Sequence, residues 1–345
     1  MGCFKRILIG LGIVVVLIVA IGTGGYFYLK NQTKEYVATL QSHGGVEIRQ
    51  NGLVGRYYAP KGVKHHTAVL MLGGSNGGFP YGAAAANLAE AGYPTFALAY
   101  FHDQRGRPAD SPPYLANIPL EYFFRALEWM KTQPAINPDK IVLMGESRGG
   151  ELVLLLGSLR PDVAGVIAYS PSHVLWAGLD PTLGQPAWTL KGKGLPFLKA
   201  TFKSATEYCD GFKTALATAS PKTLAAVSIP VENIHGPVLL ISSKTDHLWP
   251  ASFMSNAAAA RLKVHAFPYP VTNLQFDDSS HLLMGFGPGL VKMGIPYVWE
   301  MDFGGSAEGT RKARDTGWAA SKAFLAEIEA SSTSAAPSAP SSPSK

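Results

Sequence analysis

Cysteine is scarce in this chain of 345 residues, which contains Cys3 and Cys209 and no other cysteine. The two stand on opposite sides of a candidate membrane segment, so they are not expected to form a disulfide within one domain. Zinc sites built from closely spaced pairs of cysteines are also excluded, because the chain has no such pair. We therefore expect a fold that depends neither on disulfides nor on a cysteine-bound metal.

Charged residues are also few, at 16% of the chain, compared with about 25% in an average soluble protein. The net charge is +6, but residues 1–35, with four basic residues and one acidic residue, and Lys345 together account for four of those six charges. The remaining body is close to neutral, which argues against a nucleic-acid groove, because such a groove needs clustered Lys and Arg. Hydrophobic residues make up 47% of the chain, so it is not disordered as a whole.

Nucleotide-binding motifs are missing as well. A glycine-rich run occupies residues 73–78, but it lacks the Gly-Lys-Ser/Thr ending of a phosphate-binding loop. No Gly-x-Gly-x-x-Gly with a following acidic residue occurs either. We expect chemistry that needs no metal and no organic cofactor.

The first 35 residues are predicted to be a leader with a membrane anchor. Residues 7–29 carry no charge, and these 23 residues, at about 1.5 Å each, could cross a hydrocarbon core of about 30 Å. Lys5 and Arg6 precede the run and favour a cytoplasmic N-terminus, which would place the following domain outside the cytoplasm. A cleaved secretory signal is the alternative. Met1-Gly2-Cys3 offers acylation as a further one.

The C-terminal residues 331–345 contain no large apolar side chain and are rich in Ser, Pro and Ala. Such a segment cannot repay the entropy of ordering. We predict a disordered tail after a folded body at about residues 45–330.

Within the body, short apolar runs alternate with amphipathic patterns, which is typical of a mostly parallel sheet between helices. Apolar residues spaced by three and four predict a helix from Pro119 to about Met130, and a second helix is expected at 309–330. Residues 172–229 are too long for a simple connection and are predicted to form a cap. The expected strands are Thr67–Leu72, Thr95–Tyr100, Lys140–Met144, Val163–Tyr169, Pro237–Ser242 and Lys263–Phe267.

The most informative motif is Gly145-Glu-Ser147-Arg148-Gly149, which follows a predicted buried strand and precedes a helix. In that position G-x-S-x-G indicates a nucleophile elbow, a strained turn in which side chains at the two glycines would collide with their neighbours. The turn would present the Ser147 hydroxyl at the carboxyl edge of the sheet. The Arg148 amide, at a helix N-terminus, could stabilise an oxyanion.

The second oxyanion donor is expected in the glycine-rich loop after the first inner strand, as an amide at Ser75 or Asn76. The site is predicted to lie beneath apolar side chains of the cap. Three tryptophans are the candidate substrate-binding residues: Trp176, Trp188 and Trp249.

A serine nucleophile needs a base and an acid, which in such folds follow the serine in the order acid, then histidine. Asp246 comes directly after a predicted strand and is the candidate acid, whereas the aspartates at 277–278 lie too close to the expected histidine. His281, on a loop beyond the last predicted strand, is the candidate base. The competing histidines are His247, which adjoins the acid, and His265, which falls inside a predicted strand.

Four stretches of the chain resemble the C-terminal catalytic domain of the acyl-CoA thioesterase and bile-acid-CoA:amino acid N-acyltransferase family, a branch close to dienelactone hydrolases. They are Phe96–Phe101, Pro119–Trp129, Gly145–Leu152, and Ile229–Val238 running into Asp246–Phe253. The resemblance implies an α/β-hydrolase fold, with a mostly parallel central sheet, flanking helices and a cap insertion. It also implies that Ser147, Asp246 and His281 take the nucleophile, acid and base positions.

The function implied by the resemblance is hydrolysis of acyl thioesters through an acyl-enzyme. A carboxylesterase or lipase acting on lipid or xenobiotic esters is one alternative, and an acyl-CoA:amino acid N-acyltransferase is another. The acyltransferase branch uses a cysteine nucleophile, whereas Ser147 would form an oxygen ester, a less reactive acyl donor that favours release to water. Longer family members carry an N-terminal β-sandwich, and only a short lead, Gly45–Tyr58, precedes the expected sheet in this chain.

Overall fold

The computed structural model describes residues 22–38, 44–62, 65–77, 82–101, 112–182, 184–202, 208–295 and 299–331. The predicted tail at 331–345 falls outside these ranges except for Ser331. The strands are β1 (Val46–Gln50), β2 (Leu53–Tyr58), β3 (Ala68–Leu72), β4 (Thr95–Ala99), β5 (Ile118–Pro119), β6 (Ile141–Glu146), β7 (Gly165–Tyr169), β8 (Trp188–Leu190), β9 (Lys193–Gly194), β10 (Val238–Ser243), β11 (Val271–Phe276), β12 (Lys292–Ile295) and β13 (Trp299–Asp302). The helices are α1 (22–38), α2 (Gly82–Glu90), α3 (Leu120–Lys131), α4 (Arg148–Leu159), α5 (Tyr208–Thr218), α6 (Pro221–Val227), α7 (Ala251–Val264) and α8 (Ala307–Ala330).

Eight strands form the central sheet in the order β1-β2-β4-β3-β6-β7-β10-β11. Strand β2 runs antiparallel to β1 and β4, and all the other neighbours in this sheet are parallel. The inner strands are buried along their whole length, as expected for a sheet covered on both faces. The mostly parallel sheet predicted from the sequence is confirmed.

Helices cover both faces of this sheet. On one face, α3, α4 and α7 pack their apolar sides onto the strands through residues such as Phe123, Leu154 and Leu262. On the other face, α2 and α8 do the same through Leu88 and Leu325. The carboxyl ends of the parallel strands therefore meet at one open edge, where ligand sites of such sheets lie.

Five of the six predicted strands are confirmed to within two residues, but the prediction for Lys263–Phe267 is wrong. Helix α7 extends through Val264, and the His265 amide donates to the carbonyl of Arg261 at 3.1 Å, which closes the last helical turn. The alternating residues of that run are overridden by the packing of Ala258 and Leu262 in the core. The last strand of the sheet is β11, so His265 is not a strand residue.

Residues 172–229 connect β7 to β10 and contain β8, β9, α5 and α6. Strands β8 and β9 join β5 in a small separate sheet. Aromatic side chains of this segment pack edge to face: Trp176 contacts Phe212, and Phe212 contacts Trp249 of the body. The segment thus packs against the loop that follows β10.

The predicted single-pass anchor at residues 7–29 is corrected. In the ranges that the structure covers, no helix combines the length and the apolar character needed to cross a membrane; residues 7–21 lie outside those ranges. The described part of the run belongs to helix α1, which continues past Lys34. In the last turn of this helix, Tyr36 is buried against the body. Apolar length and flanking charge in the sequence do not reveal this packing. The placement of the domain outside the cytoplasm rested on the anchor and is withdrawn with it.

Candidate active site

The serine of the G-x-S-x-G motif lies in a strained turn between β6 and α4. Ser147 has a φ of +59°, and its amide donates to the carbonyl of Tyr169 on β7 at 2.9 Å. A Cβ at Gly145 would lie 2.4 Å from the Gly149 carbonyl oxygen, and a Cβ at Gly149 would lie 2.4 Å from that of Gly73. Both glycines are therefore required for steric reasons, as the spacing predicts.

Asp246 lies in the loop that follows β10, and its carboxylate is buried. One oxygen, Oδ1, accepts hydrogen bonds from the amides of Leu248 and Trp249, at 2.8 and 3.2 Å. The other oxygen, Oδ2, lies 2.7 Å from Nδ1 of His281. These contacts fix the carboxylate as a partner for the imidazole.

His281 lies five residues beyond the end of β11 and is fully buried. Its amide donates to the carbonyl of Phe303 at 2.8 Å, and its carbonyl accepts from the Ser170 hydroxyl at 2.6 Å. Its ring meets Trp249 edge to face, with 5.7 Å between centroids. Among the described residues, Nε2 has no hydrogen-bond partner.

The pKa of His281 reflects opposing effects. Burial lowers it, but the charge of Asp246, the hydrogen bond to Asp246 and the charge of Glu146 raise it, and the net result is a pKa above the ordinary value of 6.5. The ring is thus a stronger base than an isolated buried histidine would be.

A cavity of about 560 Å³ opens over this arrangement. Its polar lining includes Ser147, Arg148, His281 and the loop residues 74–76. The rest of the lining is mostly apolar and comes from two packed clusters. The cluster of the cap contributes Trp176, Leu198, Phe202 and Phe212, and the second cluster contributes Tyr36, Leu282, Leu290, Met293, Met301 and Phe303.

The structure places two of the three predicted tryptophans, Trp176 and Trp249, in the cavity lining. The third, Trp188, is not among the lining residues. Its indole N–H donates to Oε1 of Glu151 at 2.7 Å, and its ring packs near Tyr100 and Phe123 in the core beneath the cap. Sequence alone places an aromatic residue in a cap segment but does not show which side of the segment it occupies.

The carboxylate of Glu151 also pairs with the guanidinium of Arg148, at 2.9 Å, in the first turn of α4. Burial raises the pKa of Glu151 to about 7, against the opposing influence of Arg148 and of the Trp188 N–H. The Arg148 side chain donates in addition to the carbonyl of Trp176 at 3.0 Å. This buried group therefore ties the elbow helix to the cap.

Three residues near the site were not singled out from the sequence: Glu146, Tyr36 and Arg314. A charged residue at the end of a buried strand is unusual, and this signal could have drawn attention to Glu146. Arg314 lies on the buried face of α8 beside Thr310 and Trp318, which is a weaker signal. Nothing in the sequence around Tyr36 indicates that it reaches the cavity.

The family model described as "BAAT / Acyl-CoA thioester hydrolase C terminal" matches residues 118–330. The chain belongs to this family. Human acyl-coenzyme A thioesterase 2, mitochondrial, is 27% identical over 231 residues, which cover 61% of this chain and 45% of that protein. The peroxisomal succinyl-coenzyme A thioesterase of Mus musculus is 24% identical over 245 residues, which cover 69% and 54%. The chain of this family member thus spans about half the length of the curated relatives it matches.

Solved structures share the fold of this thioester hydrolase family member at low identity. A puromycin-hydrolyzing peptidase of Mycobacterium tuberculosis superposes with a TM-score of 0.52 at 13% identity, covering 83% of this chain and 39% of that one. The structure of DcsB with its substrate analogue gives a TM-score of 0.50 at 16% identity, covering 83% and 100%. Together with the sheet order, these likenesses establish the α/β-hydrolase fold.

Proposed function

We propose that this chain hydrolyses acyl-CoA thioesters through a covalent acyl-enzyme on Ser147. The observation that carries the proposal is the buried contact of 2.7 Å between Nδ1 of His281 and Oδ2 of Asp246. With Nδ1 engaged, Nε2 is the ring nitrogen that can take a proton, and His281 and Ser147 line the same cavity. Membership of the thioester hydrolase family supports the class of substrate.

In the proposed first half-reaction, Ser147 Oγ attacks the thioester carbonyl while its proton passes to Nε2 of His281. The imidazolium that forms is stabilised by the Asp246 carboxylate. Collapse of the tetrahedral intermediate breaks the bond between carbon and sulfur, and the leaving thiol takes the proton from His281. A water molecule then repeats these steps on the Ser147 ester and releases the carboxylic acid.

The oxyanion donors in this mechanism are the Arg148 amide and an amide at Ser75 or Asn76. Arg148 is the first residue of α4, and the N–H groups of a first helical turn have no partner within the helix. The loop before Ser75 lies directly against the nucleophile, since a Cβ at Gly74 would be 3.0 Å from Cβ of Ser147. The Tyr100 hydroxyl donates to the carbonyls of Gly73 and Gly74, which fixes the loop backbone beside the serine.

The apolar lining of the cavity suits an acyl chain, because burying each methylene contributes about 0.8 kcal/mol. Serine at the nucleophile position favours water as the acceptor. An oxygen ester donates its acyl group to an amine less readily than a thioester does.

The test is a hydrolysis screen of acyl-CoAs against p-nitrophenyl and lipid esters, using the full chain and Ser147→Ala. We expect acyl-CoAs to give the highest kcat/KM and the variant to be inactive. A clear preference for oxygen esters would instead establish the carboxylesterase alternative. Adding glycine or taurine distinguishes the acceptor: an amide product would show acyl transfer, and free acid alone would show hydrolysis.

A further inference from the structure

The turn that follows His281, residues 282–287, is held by two buried charged side chains that come from other elements. Glu146 ends β6, directly before the nucleophile, and Arg314 lies in the middle of α8. Both have no measurable exposure to solvent. Buried charges are costly unless they are fully engaged, so what they bind indicates what they do.

Glu146 binds the amides of this turn. Its Oε1 accepts hydrogen bonds from the N–H groups of Leu283, at 2.5 Å, and Met284, at 2.6 Å. These are the second and third residues after His281, although Glu146 precedes them by 137 and 138 positions. One residue therefore joins the strand end that carries Ser147 to the turn that carries the proposed base.

Arg314 binds the carbonyls of the same turn. Its guanidinium donates to the carbonyl oxygens of Leu282, Met284, Phe286 and Gly287, at distances from 2.9 to 3.3 Å. The planar group suits this task, because its N–H groups point in fixed directions. Its Cζ lies 5.3 Å from the ring centroid of Tyr36 on α1.

We propose that Glu146 and Arg314 are positioning residues for His281, acting as opposite buried charges that hold the amides and the carbonyls of one turn. The inference rests on the proposed function, because it concerns the base of that reaction. The turn has no regular secondary structure, so its own backbone does not define its shape. A nucleophilic serine and its base must be positioned relative to each other to within a fraction of an ångström. A misplacement of about 1 Å can lower the reaction rate by about 10²-fold.

The charge of Glu146 gives this role a measurable signature. Two carboxylates raise the pKa of His281: Asp246, in the loop after β10, and Glu146, at the end of β6. The positive charge of Arg314 lies on the adjoining turn, at the carbonyls of Leu282 and Met284. Replacing Glu146 by Gln keeps an oxygen that can accept both amide hydrogen bonds but removes one negative charge near the ring. The acid limb of the pH–rate profile should then move to lower pH, which a merely structural role would not produce.

The experiment compares Glu146→Gln, Glu146→Ala and Arg314→Lys with the wild type in the full chain. A fluorophosphonate probe measures the rate of covalent modification of Ser147 across pH, and steady-state kinetics on the acyl-CoA selected by the screen separates kcat from KM. Circular dichroism and thermal unfolding show whether each variant is folded. Glu329→Gln is the matched control, because that carboxylate binds the amide and hydroxyl of Thr67 at the opposite edge of the sheet.

We expect Glu146→Ala to lose about 10²-fold in modification rate and kcat with little change in KM. Glu146→Gln should retain the rate to within about tenfold and show the shifted acid limb, and Arg314→Lys should lose kcat but not KM, since one ammonium cannot reach four carbonyls. Glu329→Gln should lose thermal stability alone.

A folded Glu146→Ala variant that reacts at the wild-type rate would overturn the inference. If Glu146→Ala does not fold, an unshifted acid limb in Glu146→Gln together with an unchanged kcat in Arg314→Lys would overturn it. Failure of the wild-type chain to react with the probe would instead refute the proposed function, so the two failures are distinguishable.

Discussion

The nucleophile and the proposed base are positioned in different ways. Ser147 lies in a turn flanked within five residues by the glycines at 145 and 149, and a Cβ added at either glycine would collide with backbone atoms. The turn after His281 depends on side chains from β6 and α8 that are far away in the chain. The first arrangement is local and can be recognised as a motif. The second is distributed over the fold and exists only once the sheet has formed.

The largest effects should come from removing either reacting group. Ser147→Ala should abolish reaction with a fluorophosphonate probe, and both Ser147→Ala and His281→Ala should reduce kcat/KM for an acyl-CoA by at least about 10⁴-fold. His265→Ala is the matched control for the base, because His265 caps α7 and is absent from the cavity lining. Equal losses in the two histidine variants would contradict the assignment of His281.

The local arrangement is what the sequence allowed us to predict. The elbow follows from a spacing that steric collisions impose, and the parallel sheet follows from buried runs between helical patterns. The strand predicted at Lys263–Phe267 failed because the core packing of α7 overrode an alternating pattern. The contact between Glu146 and Leu283 could not be predicted, since no local rule connects a strand end to a turn 137 residues later.

The elbow should be broken by a single added methyl group. In Gly149→Ala, the new Cβ would lie 2.4 and 2.6 Å from the carbonyl oxygens of Gly73 and Leu72, so the backbone beside the nucleophile must move. We expect a loss of about 3 kcal/mol in unfolding free energy. The probe reaction should slow by about 10²-fold, because the displaced loop carries a proposed oxyanion donor.

Gly24→Ala provides the comparison for that variant. Gly24 lies in helix α1, and a Cβ added there would have no described atom within 4 Å. The φ angle of Gly24 is not positive, so alanine fits its backbone conformation. The same methyl group should therefore stabilise the chain by up to about 1 kcal/mol and leave the probe reaction unchanged. An equally mild effect of Gly149→Ala would show that the elbow tolerates displacement.

The pH dependence of the probe reaction should test how the proposed base, His281, is held by its surroundings. Only neutral His281 can accept the Ser147 proton, and its pKa is raised because Asp246 and Glu146 outweigh burial. The rate should therefore fall as pH drops, by about tenfold per unit, with a midpoint above 6.5. Unfolding curves at each pH serve as the control. A midpoint at or below 6.5 would mean that burial dominates at this site.

The smallest effect is expected at Tyr36, which is buried, lines the cavity and also lies beside the Arg314 guanidinium. Tyr36→Ala should shift the preference among acyl-CoAs several-fold towards bulkier acyl chains, because it removes an aromatic ring from the lining, whereas Tyr36→Phe keeps the ring and should keep the preference. The ratio of kcat/KM values for a short and a long acyl-CoA measures this change.

A small fluorophosphonate probe then separates the two roles that Tyr36 could have. If the ring only forms part of the cavity lining, the probe should react with Tyr36→Ala at the wild-type rate, since a small probe does not need the space that an acyl chain occupies. If the rate falls together with the change in preference, the ring also holds Arg314 against the turn after His281. In that case, α1 belongs to the arrangement that positions the base, and the distributed half of the site extends from the N-terminal helix to α8.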